Sequence, residues 1–152
     1  MLDRLRDLFG QLAGPRETLS PDDDPRVAVA ALLFHVINAD GVMEQPELDR
    51  LRALLREEYG LDAAEAERIA AAGEQADREA VDLFRFTRVL SAHFDEDQRV
   101  RFVELLWDVT YADGSLHELE DNLIWRIAEL LGVSARDRMV GKRGAQARIL
   151  DR

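Results

Sequence analysis

The sequence contains no cysteine, which excludes disulfides and cysteine-based zinc sites. Histidine is nearly as scarce. His35, His93 and His117 are the whole supply, so a metal site would rest mainly on oxygen ligands, a donor set that suits hard cations. Positive charge is also short, with 20 Lys and Arg against 31 Asp and Glu and a formal net charge of −11. That balance argues against nucleic acid, whose phosphates are held by Lys and Arg, and it disfavours an anionic membrane surface for the same reason. No apolar run approaches the roughly 20 residues that span a bilayer; the longest, Val27 to Ile37, is broken by His35. The opening segment, Met1 to Gly10, is interrupted by Asp3, Arg4, Arg6 and Asp7 and lacks the apolar core of a secretory signal, so the expected location is cytoplasmic. A Gly-rich phosphate loop, a Gly-x-Ser-x-Gly elbow and a His-Glu-x-x-His motif are all absent. Ser91 and His93 lie too close on one helix to face each other as a nucleophile and base.

What is present is helical periodicity. The 152 residues suit one domain. Leu2, Leu5, Leu8, Phe9 and Leu12 form an N-terminal amphipathic stripe that ends at Gly14-Pro15 and offers a face for packing or for a homodimer. A loop through Pro21 to Pro25 follows, and then a buried helix from about Pro25 to Ala39, stopped by Asp40-Gly41. The next helix is expected from Gln45 to Tyr59, closed by Gly60. Asp62, Asp77, Asp95 and Ser134 stand where N-caps are expected, ahead of Ala64–Ala72, Glu79–Ala92, Glu96–Ala112 and a last helix. Glu118 to Leu131 supplies one more, stopped at Gly132. No strand-like alternation occurs. The expectation is an all-α fold, a compact helical bundle of about eight helices. It divides into residues 1–24 (amphipathic helix and linker), 25–140 (helical domain) and 141–152 (basic C-terminal tail).

An internal repeat organises the chain. Ala39-Asp-Gly-Val-Met-Glu-Gln-Pro-Glu47 aligns with Ala112-Asp-Gly-Ser-Leu-His-Glu-Leu-Glu120 at an offset of 73 residues. Leu32, Phe34, Val36, Leu51 and Leu54 meet Leu105, Trp107, Val109, Ile124 and Ile127 at the same offset. Gly60-Leu-Asp62 matches Gly132-Val-Ser134 after one deletion. Each half is thus a helix, an Ala-Asp-Gly turn, a second helix, a Gly stop and a capped third helix. Two such pseudo-symmetric helix–turn–helix repeats can bury each other's apolar faces.

Both turns carry Asp-Gly followed by a Glu at the spacing of the second half of an EF-hand loop. Val36 and Val109 fall where the first ligand belongs, so neither loop alone makes a tight calcium site. A capping box explains the same spacing without any ion: Gly41 and Gly114 end the first helices, Met43 and Leu116 tuck inward, and Glu47 or Glu120 caps the next helix. If the repeat brings the turns together, Asp40, Glu47, Asp113 and Glu120 converge, with Glu44 and His117 nearby. Four carboxylates in one place require a cation, and a shared divalent metal would supply it.

These turns, with Leu123-Ile-Trp-Arg-Ile-Ala-Glu-Leu-Leu-Gly-Val-Ser134 after the second, resemble the TerB family of tellurite-resistance-associated proteins and the N-terminal region of DjlA-type co-chaperones. The resemblance covers about Pro25 to Val140. It implies an all-helical, internally pseudo-symmetric fold and metal-binding acids, which carry over to Asp40, Glu47, Asp113 and Glu120. The metal would be calcium, magnesium, manganese or zinc. No His-Pro-Asp tripeptide is present, so a J-domain function does not transfer. The resemblance implies a non-enzymatic protein-interaction module of stress- and tellurite-resistance type with a protein partner. Two alternatives stay open: an oxygen-ligand metal enzyme using the same acids, or purely structural turns.

Three further expectations concern single features. His35 reads as a hydrogen-bonded core histidine rather than a ligand. Trp107 and Trp125 read as core. Residues 134–152 carry a local charge of +4 beside a body of −16, and either lie on that body or dock on a partner.

Overall fold

The computed structural model describes residues 24–39, 41, 43–80, 82–112 and 118–150. The expected N-terminal helix lies outside the described residues, as do Asp40, Asp113 and His117. Seven helices are described: α1 (Pro25–Ile37), α2 (Gln45–Tyr59), α3 (Ala63–Glu79), α4 (Phe84–His93), α5 (Glu96–Thr110), α6 (Glu118–Leu130) and α7 (Ala135–Leu150). No strand occurs among the described residues, and none of these helices is long and apolar enough to cross a membrane.

α1 is the hub. It is apolar all round rather than on one stripe, as a helix enclosed by others must be, and every residue except His35 is buried. α3 packs on it most extensively, and α2, α4, α5 and α6 surround it. Pro25 occupies its first turn, where no intrahelical N–H is lost, and the Asp24 carboxylate accepts the Arg26 N–H at 2.9 Å. α5 is the second hub, packed on α7, α1, α6 and α2. Its start is a full capping box, with Asp95 accepting from Gln98 N–H and the Gln98 side chain accepting from Asp95 N–H. Asp62 and Ser134 cap α3 and α7 as expected. Gly60 and Gly132 close α2 and α6 in the left-handed conformation.

The expected cap at Asp77 is incorrect. α3 does not end at Ala72 but continues through Gly73 to Glu79, placing Asp77 in its last turns. Gly73 is weak in a helix yet is kept because α3 lies almost against the α1 backbone: a Cβ there would come within 2.9 Å of the Ala30 carbonyl carbon and Ala31 nitrogen. α4 therefore starts later, at Phe84, whose N–H is accepted by the Asp82 carboxylate at 2.9 Å.

The basic C-terminal stretch lies on the body as one continuous helix. Lys142 pairs with Asp121 at 3.1 Å and sits over the Trp107 ring, while Arg138 covers Trp125. Trp107 is fully buried, with Trp125 edge-on to it at 6.1 Å. Trp125 itself is only half-buried, which corrects its assignment to the core.

Candidate functional site

The two turns begin alike. After α1, Asn38 N–H donates to the Phe34 carbonyl at 3.0 Å and Ala39 N–H to Val36 at 3.1 Å. After α5, Tyr111 N–H donates to Trp107 at 3.0 Å and Ala112 N–H to Val109 at 3.1 Å. Donors and acceptors in the two sets are each 73 residues apart. Gly41 then takes φ +83°, a backbone that residues with a Cβ rarely adopt. Met43 packs partly against the core.

The acids divide. Glu44 is the exposed N-cap of α2, and its side chain makes no capping hydrogen bond, so this turn lacks that half of a capping box. Glu47 and Glu120, one turn into α2 and α6, are each only 1% exposed. Carboxylates are rarely buried this deeply unless they have partners, and neither of these is without one. Matched burial at both repeat positions therefore marks these two among the 31 acids. Among the described residues, which do not include Asp40, Asp113 or His117, no three His, Asp or Glu side chains group as a metal site would need. One cavity of about 490 Å³ is lined by Asn38 and Ala39 from the first turn and by Leu119 and Leu123 from α6. The start of the first turn and the start of α6 therefore face the same space.

His35 corrects its expected place. It is hydrogen-bonded, with Nδ1 2.7 Å from the Asp77 carboxylate, but its side chain is 39% exposed and lines two cavities instead of lying in the core. Sequence reasoning missed Asp77 as its partner because the two are 42 residues apart and meet only through the packing of α3 on α1. His93 Nδ1–H donates to the Val89 carbonyl of its own helix at 2.9 Å, which ties the ring to the backbone.

Charged pairs tie α2 to α5. Arg50 bonds Asp108 through Nε at 3.0 Å and Nη2 at 2.5 Å. Arg101 bonds Glu58 at 2.9 and 3.3 Å and Glu104 at 2.9 Å. Burial works against the Arg101 charge, but the hydrogen bonds and charges of Glu58 and Glu104 outweigh it and raise the guanidinium above its ordinary pKa. Burial likewise pushes the Tyr59 hydroxyl upward, with the Glu58 charge adding to the effect.

The architecture defines a class: an all-helical bundle whose helices are joined by acid-bearing turns. The family model described as tellurite resistance protein TerB matches residues 26–141, and the chain belongs to that family. No curated protein and no solved structure matches the chain.

Proposed function

We propose that the chain is a non-enzymatic, cytoplasmic TerB-type interaction module. Its two pseudo-symmetric turns share a divalent cation and present an acidic end to a protein partner. The observation that carries this reading is the matched burial of Glu47 and Glu120 at equivalent points of the repeat. Three further features support it. The two turns open with the same backbone hydrogen bonds. α1 contacts α6 as α5 contacts α2, the exchange that a twofold relation requires. The cavity between Asn38, Ala39 and Leu119 sets the first turn beside the start of α6. Asp40 and Asp113, the remaining members of the proposed ligand set, precede each buried Glu by seven residues, and Glu44 and His117 complete the outer ring. Oxygen donors of this kind suit calcium, magnesium or manganese better than zinc.

The test is thermal unfolding of chelator-treated protein with each ion added. A ligand at about one hundred times its Kd stabilises by about 2.7 kcal/mol, so the midpoint rises for one of the hard cations. The response disappears in Asp40→Ala with Asp113→Ala. If no ion at millimolar concentration moves the midpoint, the shared site is wrong.

A further inference from the structure

The repeat leaves one interface open where its counterpart is tied by charge. At the 73-residue offset, Asp108 and Arg50 correspond to His35 and Leu123. On one side the chain's own carboxylate, Asp108, is gripped by Arg50 between α5 and α2. On the other side α1 offers an imidazole and α6 an isobutyl group. Two cavities of about 520 and 490 Å³ adjoin there, with His35 and Leu123 on the walls of both.

The walls are chemically differentiated. Leu83, Leu123 and Leu130 form an apolar side. Arg126, at the offset from Ala53, stands on the same wall and forms no ion pair among the described residues. Arg78 borders the second cavity and holds Glu74 only through a surface pair at 3.3 Å. Each of the two acids on the walls accepts a hydrogen bond from the chain itself. Asp77 is bonded to His35 Nδ1, and Asp82 accepts the Phe84 N–H. An ionised carboxylate only accepts, so Nδ1 carries the proton in the neutral ring, and Nε2 keeps a lone pair for the cleft.

We propose that this cleft binds a small hydroxy-carboxylate with an apolar body. Arg126 takes the ligand's carboxylate, as a guanidinium fork does best, in the role that Arg50 performs for Asp108. His35 Nε2 accepts the ligand's hydroxyl proton, and Asp77 holds the tautomer that makes this possible. The apolar body lies against Leu83, Leu123 and Leu130. Cavities of this size fall within the range of roughly 300–1,000 Å³ usual for small-molecule sites. The site shares none of the four acids of the metal reading and does not depend on it.

The experiment uses the full chain in the presence of chelator, with phenyllactate as probe. Side-chain NMR resonances of His35, Leu123 and Arg126 are followed. The expected result is saturable movement of these resonances at millimolar phenyllactate. Hydrocinnamate, which lacks the hydroxyl, and phenyllactamide, which lacks the charge, bind about tenfold more weakly, as loss of one buried polar contact implies. Arg126→Gln, at an exposed position that leaves the core intact, removes the preference for acid over amide, and His35→Phe, which has no acceptor, removes the preference for the hydroxyl. Absence of any movement overturns the proposal, as does equal binding of the amide or an undiminished acid preference in Arg126→Gln.

Discussion

α1 with α6, and α5 with α2, occupy corresponding places in the chain and are built from opposite materials. The α5–α2 contact is crossed by two ion pairs, Arg50 with Asp108 and Arg101 with Glu58. At the same offset the α1–α6 side carries Leu123 and His35, then Leu131 and Ala28. Leu131 and Ala28 are buried hydrophobics, as apolar as Glu58 and Arg101 are charged. α1 is enclosed by five helices and its one guanidinium, Arg26, is buried and held by Asp24 and Glu65, whereas α5 keeps one edge near solvent that the guanidinium groups of Arg50 and Arg101 reach. The α5–α2 side is thus closed by charge, whereas the α1–α6 side is apolar at Ala28 and Leu131 and opens into cavities at His35 and Leu123.

The largest effect expected from breaking this contrast is at Glu58. Glu58→Leu alone removes two of the three carboxylate hydrogen bonds of the Arg101 guanidinium, leaving Glu104, and costs about 3 kcal/mol in urea unfolding. Adding Arg101→Ala, which reproduces the residue types of Leu131 and Ala28, recovers most of that loss, to within about 1 kcal/mol of the parent. If the double variant is as unstable as the single one, the two interfaces are not interchangeable in the sense argued above.

Helix approach differs between the halves as well. Gly73→Ala forces α3 away from the α1 backbone and destabilises by about 2–3 kcal/mol in the same assay. A Cβ added at Gly141 in α7 would lie 3.1 Å from the Glu104 Cγ, a side-chain atom, with backbone no nearer than 3.8 Å. Gly141→Ala is therefore expected to change stability by no more than about 1 kcal/mol, because a better helix former offsets a small side-chain shift.

Tyr59 gives the charged side a pH signature. Its folded pKa is raised, so the unfolded chain ionises first as pH climbs past about 10. Stability is full below that point and falls above it by about 1.4 kcal/mol per pH unit. Urea midpoints between about pH 9 and about pH 11 measure the slope, and Tyr59→Phe flattens this contribution. The smallest effect is at Glu74, whose pair with Arg78 is a surface contact within one helix. Glu74→Gln stays within about 0.5 kcal/mol of the parent by thermal unfolding.

Much of the local structure was legible in the sequence because it is decided by neighbours along the chain. Pro25 starts a helix because its fixed φ suits a first turn, Asp62, Asp95 and Ser134 start helices by accepting the N–H three residues on, and Gly60 and Gly132 end them by backbone freedom. The 73-residue correspondence in the sequence also singles out Glu47 and Glu120, and both are buried. The end of α3 was not legible. Gly73 and Asp77 look like a stop and a cap in isolation, but the packing of α3 on α1 outweighs the local cost and gives Asp77 to His35.

The sequence by itself determined the helical class, most helix boundaries, the paired turns and the family, since all of these follow from periodicity, capping and motif spacing. Only the tertiary structure decided that His35 leaves the core for a cleft, that its partner is Asp77, and that charge ties α2 to α5 while the α1–α6 side opens into cavities at His35 and Leu123. Those outcomes depend on which helices desolvate which residues, and no local pattern encodes a contact between groups that meet only when distant helices pack.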